Sequence, residues 1–214
     1  MSTGDYPVIL AVEDFVPTLL ALAGFWLLAG LAPSGRVTPG RVGAVLIGAG
    51  GLAKSAWKLL LAGFGVDLPW LEASLFPLMS AGAVTLIWAL LPTAPWWPFA
   101  AVYAAVAGGA LVAGAMKPVF ILATAGVTTI SVIGAVYAGR RRARTAIALY
   151  TLGIVLVTAL VPLRNHPEHE TLRLQWIEQG TNTAAQLAFL TAAWLTVRAY
   201  RRSRPLSPSI EVPA

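Results

Sequence analysis

Residues 118–138 read PVFILATAGVTTISVIGAVYA and contain no charged side chain, although Lys117 stands directly before them and Arg140 shortly after. A helix that crosses a bilayer needs about 20 mostly apolar residues. This stretch meets that length with a basic residue near each end. It therefore predicts a transmembrane helix, and the rest of the chain can be placed around it.

Six further apolar stretches flank this one, separated by short segments rich in proline, glycine or charge. The seven predicted spans lie near 7–32, 42–65, 73–92, 97–116, 118–138, 145–163 and 174–197. Pro17 and Pro77 fall inside spans, where neighbouring helices can satisfy the backbone groups that a kink frees. The pattern predicts an all-α, polytopic integral membrane protein: one transmembrane domain over 1–214, built as a seven-helix bundle.

The composition agrees with this class of protein. The 214 residues are 57% hydrophobic and 11% charged, whereas soluble domains carry about 25% charged residues. The net charge of +6 comes from basic residues that cluster between apolar stretches. This placement favours contact with membrane lipids and argues against a nucleic-acid partner. The chain has no cysteine, which excludes disulfides, thiolate catalysis and cysteine metal sites.

The basic clusters also predict the orientation of the bundle. Arginines concentrate in 36–41, 140–144 and 198–204, and an even number of spans separates these segments. Cytoplasmic loops are enriched in lysine and arginine. We therefore expect the N-terminus outside, the C-terminus inside, a basic cytoplasmic tail over 198–214, and a location in the cell (plasma) membrane.

Small residues recur on two of the predicted spans. They are Ala105, Gly109 and Ala113 in the fourth span, and Gly43, Gly48, Gly50 and Gly51 in the second. Such faces allow helices to pack closely within lipid. They predict helix packing, and they offer surfaces through which copies of the chain could form an oligomer.

Charged and amide side chains inside the spans are the candidate functional residues. The predicted ligand-binding set consists of Glu13, Asp14, Lys54, Lys58, Glu178, Asn182 and Gln186. A charged side chain at the bilayer centre costs about 2.5–3.5 kcal/mol on insertion scales, and such residues commonly mark functional sites. Members of the set therefore need partners or water.

Depth predicts that these side chains meet. At the helical rise per residue, Glu13 and Lys58 lie about 9 and 10 Å below the outer ends of their spans, and the polar residues of the last span reach similar depths. Glu13 and Asp14 differ by about 100° of helix rotation, and depth favours Glu13. We expect a charge-compensated polar pocket that opens outward.

The loop between the last two predicted spans holds a second group of polar residues. His166 and His169, with Glu168 and Glu170 beside them, are the ligand types that zinc accepts. The chain has only two histidines, and the loop follows no established metal spacing. A solvated outer loop is the favoured interpretation, so the sequence predicts neither a metal nor a cofactor.

Three functional hypotheses stay open. The first is a protein that binds, senses or transports a small polar or anionic solute in the outward-facing pocket. The second is a membrane-embedded enzyme acting on a lipid or isoprenoid, with Glu178 or Glu13 as general acid/base and Lys58 stabilising a developing anion. The third is a structural subunit of a membrane complex. In each case the charges could instead form a static ion pair that only fixes helix register.

Overall fold

The computed structural model describes residues 7–164 and 171–203, and these ranges contain helices and no strand. The helices are α1 (Val8–Glu13), α2 (Phe15–Ala29), α3 (Val37–Phe64), α4 (Pro69–Ala73), α5 (Leu75–Leu90), α6 (Trp97–Ala113), α7 (Lys117–Arg140), α8 (Arg144–Arg164) and α9 (Leu172–Arg202). A 3-10 turn, Ser34–Arg36, leads into α3. The all-α prediction is confirmed.

Five helical segments are long and apolar enough to cross a membrane. They are Val8–Ala29, Ser34–Phe64, Pro69–Leu90, Lys117–Arg140 and Arg144–Leu163. Helix α6 has 17 residues and is apolar but shorter. Helix α9 is long enough, with 31 residues, but it carries charged and amide side chains. Five such segments in one chain are typical of a multi-pass membrane protein.

The helices form one packed group in which α2 contacts both α3 and α9, α3 also contacts α5, and α9 also contacts α8. Aromatic rings fill the space between α2, α8 and α9. The ring centroids of Phe25 and Phe189 are 4.7 Å apart, and those of Tyr150 and Phe189 are 6.0 Å apart. The first, second and last predicted spans are therefore neighbours.

Glycines bring α3 and α5 into backbone contact. A Cβ atom on Gly43 would lie 2.7 Å from the carbonyl oxygen of Gly82, and one on Gly82 would lie 2.5 Å from that of Gly43. The small residues of the second span thus pack within the chain. By contrast, nothing lies within 4 Å of the Cβ positions of Gly108 and Gly109 on α6, so an oligomeric contact through that face stays a prediction.

Two of the predicted spans are broken near their beginnings. Helix α1 ends before Asp14 and α4 ends before Ser74, each three residues ahead of a proline, Pro17 or Pro77. Proline has no N–H to donate to the carbonyl four residues back, and its ring clashes with that carbonyl. The kinks expected at Pro17 and Pro77 therefore fall at Asp14 and Ser74, which keep right-handed helical dihedrals, and each span continues through its kink.

Both breaks face the same point on α3. A Cβ atom on Gly51 would lie 2.7 Å from Thr18 Cγ2, just beyond the first break. One on Gly50 would lie 2.7 Å from the carbonyl oxygen of Leu75, just beyond the second. Because only glycine fits these approaches, the adjacent glycines Gly50 and Gly51 allow α3 to pack against both kinked spans.

At the other end of the chain, α9 continues through Arg202, so the predicted tail begins as helix. Residues 204–214 lie outside the described part.

Candidate functional site

An ion pair joins α3 to the break between α1 and α2. Lys58 Nζ lies 2.5 Å from Asp14 Oδ2, and the two side chains are 25% and 13% exposed. Both charges belong to segments that are apolar enough to span a membrane. Removing either partner would leave the other charge uncompensated among apolar neighbours, which is far more costly than burying the pair.

Hydroxyl groups hold the backbone at the break. Thr18 Oγ1, on α2, donates a hydrogen bond to the carbonyl oxygen of Asp14 over 3.1 Å. Ser55 Oγ, on α3, lies 3.1 Å from this oxygen and 3.1 Å from the carbonyl oxygen of Gly51 in its own helix, so its single proton is shared between the two. Ser55 is 3% exposed, so its bond is a buried tie between α3 and the interrupted helix. The position of Asp14 is therefore fixed by its main chain as well as by its carboxylate.

Helix α9 contributes hydrogen-bond donors from one of its faces. Gln179 Nε2 donates to Asp14 Oδ1, and Thr183 Oγ1 donates to Glu13 Oε1 over 2.5 Å. These α9 residues are four apart and so lie on one side of the helix. Glu13 Oε2 is buried and receives no hydrogen bond from the described residues. Asp14 Oδ2 likewise accepts no hydrogen bond from these residues, but it is engaged by the Lys58 ammonium group.

The structure divides the seven predicted site residues into three sets. Glu13, Asp14 and Lys58 lie at the junction of α1, α2, α3 and α9. Lys54 and Glu178 are half-buried, one turn before Lys58 and one residue before Gln179 respectively. Their role in binding stays a prediction.

Asn182 and Gln186 extend the polar face deeper along α9. Gln186 Nε2 donates to Asn182 Oδ1 over 3.4 Å. Gln186 also lines a cavity of about 30 Å³ together with Tyr150 and Ser131. This volume has room for roughly one or two water molecules. The amides therefore lead from the ion pair toward a small, mostly apolar cavity between α2, α7, α8 and α9.

Depth alone favoured Glu13 as the carboxylate that faces the lysines, and the structure gives the ion pair to Asp14. Asp14 keeps right-handed helical dihedrals (φ −55°, ψ −23°), so the two carboxylates still point in different directions: Asp14 toward Lys58 and Gln179, and Glu13 toward Thr183. The bond of Thr18 to the carbonyl oxygen four residues back is the usual one for a hydroxyl in a helix. The tie from Ser55 to Asp14 joins two helices and had no sequence signal.

The candidate metal ligands of the sixth loop, His166 and His169, lie outside the described residues. Within residues 7–164 and 171–203, no three His, Asp or Glu side chains come together as a metal site.

Chemically, the site is a partly buried group of acceptors and donors. It holds three carboxylates, those of Glu13, Asp14 and Glu178, and two amines, those of Lys54 and Lys58, on α1, α3, α9 and the residue between α1 and α2. Carboxylates accept hydrogen bonds only, and the neighbouring amides can donate or accept. Comparisons with protein-family models, curated proteins and solved structures found no match to this chain.

Proposed function

We propose that this chain is a multi-pass protein of the cell membrane that binds a small polar solute at the Glu13–Asp14–Lys58 cluster, as the recognition step of transport or sensing. The cluster opens toward the outer face. The bundle has seven spans with the N-terminus outside and the C-terminus in the cytoplasm.

The packing of α6 and α9 supports a count of seven spans, although α6 is short and α9 carries polar side chains. Helix α9 packs along α2 and α8, both of which are apolar enough to span, so its polar face can point into protein. Helix α6 packs against α5 and α7. The described arginines of 36–41, 140–144 and 198–202 fall at one end of this arrangement, and positive-inside placement makes that end cytoplasmic.

Single cysteines test this orientation, because the natural chain contains none. Val66→Cys, between α3 and α4, should react with a membrane-impermeant maleimide in intact cells. Ser34→Cys and Ser203→Cys should react only after the membrane is permeabilised. Labelling of Ser203→Cys in intact cells would place the C-terminus outside and contradict the proposed topology.

One observation carries the binding proposal: Glu13 Oε2 is a buried carboxylate oxygen that accepts no hydrogen bond from the described residues, and it lies beside the Asp14–Lys58 ion pair. Leaving such an oxygen without a hydrogen bond costs more than the 1–3 kcal/mol typical of neutral groups. A solute that donates a hydrogen bond there would remove the cost. The interrupted helix adds support, since transporters commonly form their sites at broken helices near paired charges.

The charge balance narrows the class of solute. Three carboxylates against two amines leave a formal charge of −1 at this level of the bundle, and the Lys58 amine is engaged by Asp14. An anion would therefore meet net repulsion. A neutral hydrogen-bond donor or a small amine fits better than the anionic solute that the lysines alone suggested.

A stability screen of the detergent-solubilised chain tests the proposal. Small amines, polyols and carboxylates are each added, and the midpoint of thermal unfolding is measured. Amines or polyols should raise the midpoint of the natural chain but not that of Glu13→Gln. Glu72→Gln, an exposed carboxylate on α4, is the matched control and should respond as the natural chain does.

A lack of response to all three classes, or an equal response by Glu13→Gln, would contradict the proposal and favour a static ion pair.

The enzyme hypothesis is supported by one contact, the short hydrogen bond from Thr183 Oγ1 to Glu13 Oε1. In this contact the carboxylate is placed to accept the hydroxyl proton. Conversion of an added lipid by the natural chain, lost in Thr183→Val and retained in Thr183→Ser, would favour the enzyme instead.

A further inference from the structure

A second cavity lies at the arginine-rich end of the bundle. Its volume is about 450 Å³, and it is lined by Leu27, Trp194, Val197, Arg198, Arg201 and Arg202. It separates the last turns of α2 and α9. Arg198 follows Gln179 by 19 residues, or about 28 Å of helix, so this cavity is remote from the Glu13–Asp14–Lys58 cluster.

The charges around the cavity have one sign. Three of the six lining residues are arginines. The Asp and Glu residues of the described ranges lie toward the other end of the bundle: Glu13, Asp14, Asp67, Glu72 and Glu178. No ion pair joins the three cavity arginines to a side chain of the described part. An anion placed here would therefore meet concentrated positive charge without a competing carboxylate.

Other arginines at this end have structural contacts. Arg36 Nη1 donates to the carbonyl oxygens of Trp88 and Leu91 over 3.2 and 2.6 Å, and Arg141 stacks over Tyr200 at 4.3 Å. In the cavity, Arg198 lies over the Trp194 ring at 5.1 Å. This stacking leaves the edge of the guanidinium available, and that edge carries the N–H groups that bind phosphate oxygens in pairs.

The remaining walls of the cavity are apolar and continue onto the surface of α9. Trp194 is 48% exposed, and Leu187, two turns before it on the same side of the helix, is 52% exposed. Leu27 and Val197 complete the apolar wall. A phosphate among the arginines would thus have an exposed apolar path beside it, which suits the acyl chains of a lipid and gives a free phosphate nothing to contact.

We propose that this cavity is a specific site for the phosphate headgroup of an anionic glycerophospholipid. The phosphate binds Arg198, Arg201 and Arg202, and an acyl chain lies along Trp194 and Leu187. In the proposed orientation the lipid belongs to the cytoplasmic leaflet, where basic pockets between spans bind such headgroups. The site is independent of the solute site in the outer half.

Native mass spectrometry of the full chain in detergent tests the site, with phosphatidylglycerol and phosphatidylcholine as probes. One phosphatidylglycerol per chain should bind more tightly than any phosphatidylcholine. The triple variant Arg198→Gln, Arg201→Gln, Arg202→Gln should lose about tenfold or more in affinity for phosphatidylglycerol.

The matched control removes the same charge from the same end: Arg140→Gln, Arg142→Gln and Arg144→Gln. Because none of these residues lines the cavity, its affinity should fall by no more than about threefold. Equal losses in the two triple variants would overturn the proposal, because they would show diffuse attraction to the whole basic surface. If the cavity triple variant does not fold, Arg201→Gln alone should still weaken phosphatidylglycerol binding more than Arg142→Gln alone.

Two further measurements distinguish a lipid phosphate from a free phosphate ion. Inorganic phosphate and glycerol 3-phosphate should not displace phosphatidylglycerol at millimolar concentrations, and displacement would assign the cavity to a free anion and overturn the lipid proposal. Trp194→Ala should weaken lipid binding. Glu13→Gln should bind phosphatidylglycerol as the natural chain does, which separates failure of this proposal from failure of the solute site.

Discussion

The two halves of α3 attach to their neighbours in different ways. The first half is held by close packing, with Gly43 against the backbone of Gly82 on α5. The second half is held by polar contacts, through the buried Ser55 hydroxyl and the Lys58 ion pair. One helix therefore has a first half in which glycines permit close packing and a second half that carries polar and charged contacts.

The difference suggests that the glycine contacts hold the helices of the bundle together and that the charged contacts serve a binding site. Lipid tails are as apolar as the helices, so helices associate in a membrane through tight packing, which small residues permit. Glycines against α5 serve this purpose alone. The charged half would be a poor way to achieve the same association, because burying charge is costly. This contrast supports the proposal that the charged half of α3 belongs to a binding site.

The largest expected effect is that of Lys58→Met. It leaves the Asp14 carboxylate unpaired, and breaking a buried pair costs about 3–5 kcal/mol. Partial exposure of Lys58 places the expected loss near the lower value. Adding Asp14→Asn should restore most of the thermal stability in detergent but should not restore the response to amines or polyols. Recovery of that response in the double variant would mean that the ion pair serves stability alone.

Gly82→Ala should have the next largest effect, and it tests the packed half. The added methyl would meet the Gly43 carbonyl oxygen at 2.5 Å, so α3 and α5 must separate. Overpacking of this kind costs about 1–3 kcal/mol, and we expect a corresponding fall in the unfolding midpoint. Gly108→Ala on α6, with open space at its Cβ, should instead gain up to about 1 kcal/mol. Similar losses in both variants would argue against backbone contact between α3 and α5.

Thr183→Val tests the donor on α9. It removes the hydrogen bond to Glu13 Oε1 while keeping the shape of the side chain, and should cost about 1–2 kcal/mol. Thr181→Val is the matched control, because the Thr181 hydroxyl donates to the carbonyl oxygen of Ile177 in its own helix. Its unfolding midpoint should stay near that of the natural chain. A midpoint for Thr183→Val equal to that of the control would show that the contact with Glu13 adds no stability.

Tyr150→Phe should have the smallest effect and probes a polar contact away from α3, between α8 and α9. The hydroxyl groups of Tyr150 and Thr196 lie 3.4 Å apart, and Thr196 also donates to the carbonyl oxygen of Ala192 in its own helix. Removing the Tyr150 hydroxyl should therefore cost less than about 1 kcal/mol. A loss comparable to that of Lys58→Met would show that polar contacts outside the charged half of α3 contribute as much stability as its ion pair.

The sequence was sufficient where a property depends on composition or on distance along a helix. Uncharged stretches such as 118–138 predict the helices, and residue counts place Glu13 and Lys58 at one depth. It was insufficient where the outcome depends on rotation. Asp14 faces Lys58, and α9 presents Gln179 and Thr183 to the two carboxylates. Which face of α9 points inward depends on packing against α2 and α8. The sequence of α9 does not encode this choice, because polar side chains occur at adjacent positions such as Glu178 and Gln179.

The spacing of the site along the chain has a consequence for biosynthesis. Lys58 lies in the helix that follows Asp14, so a growing chain can neutralise this carboxylate once α3 has been inserted. The donor to Glu13 is 170 residues further along the chain, on α9, and is made long after α3. Until α9 has been inserted, Glu13 therefore lacks this hydrogen bond. A ribosome-bound chain truncated before α9 would expose the Glu13 carboxyl group to the membrane insertion machinery.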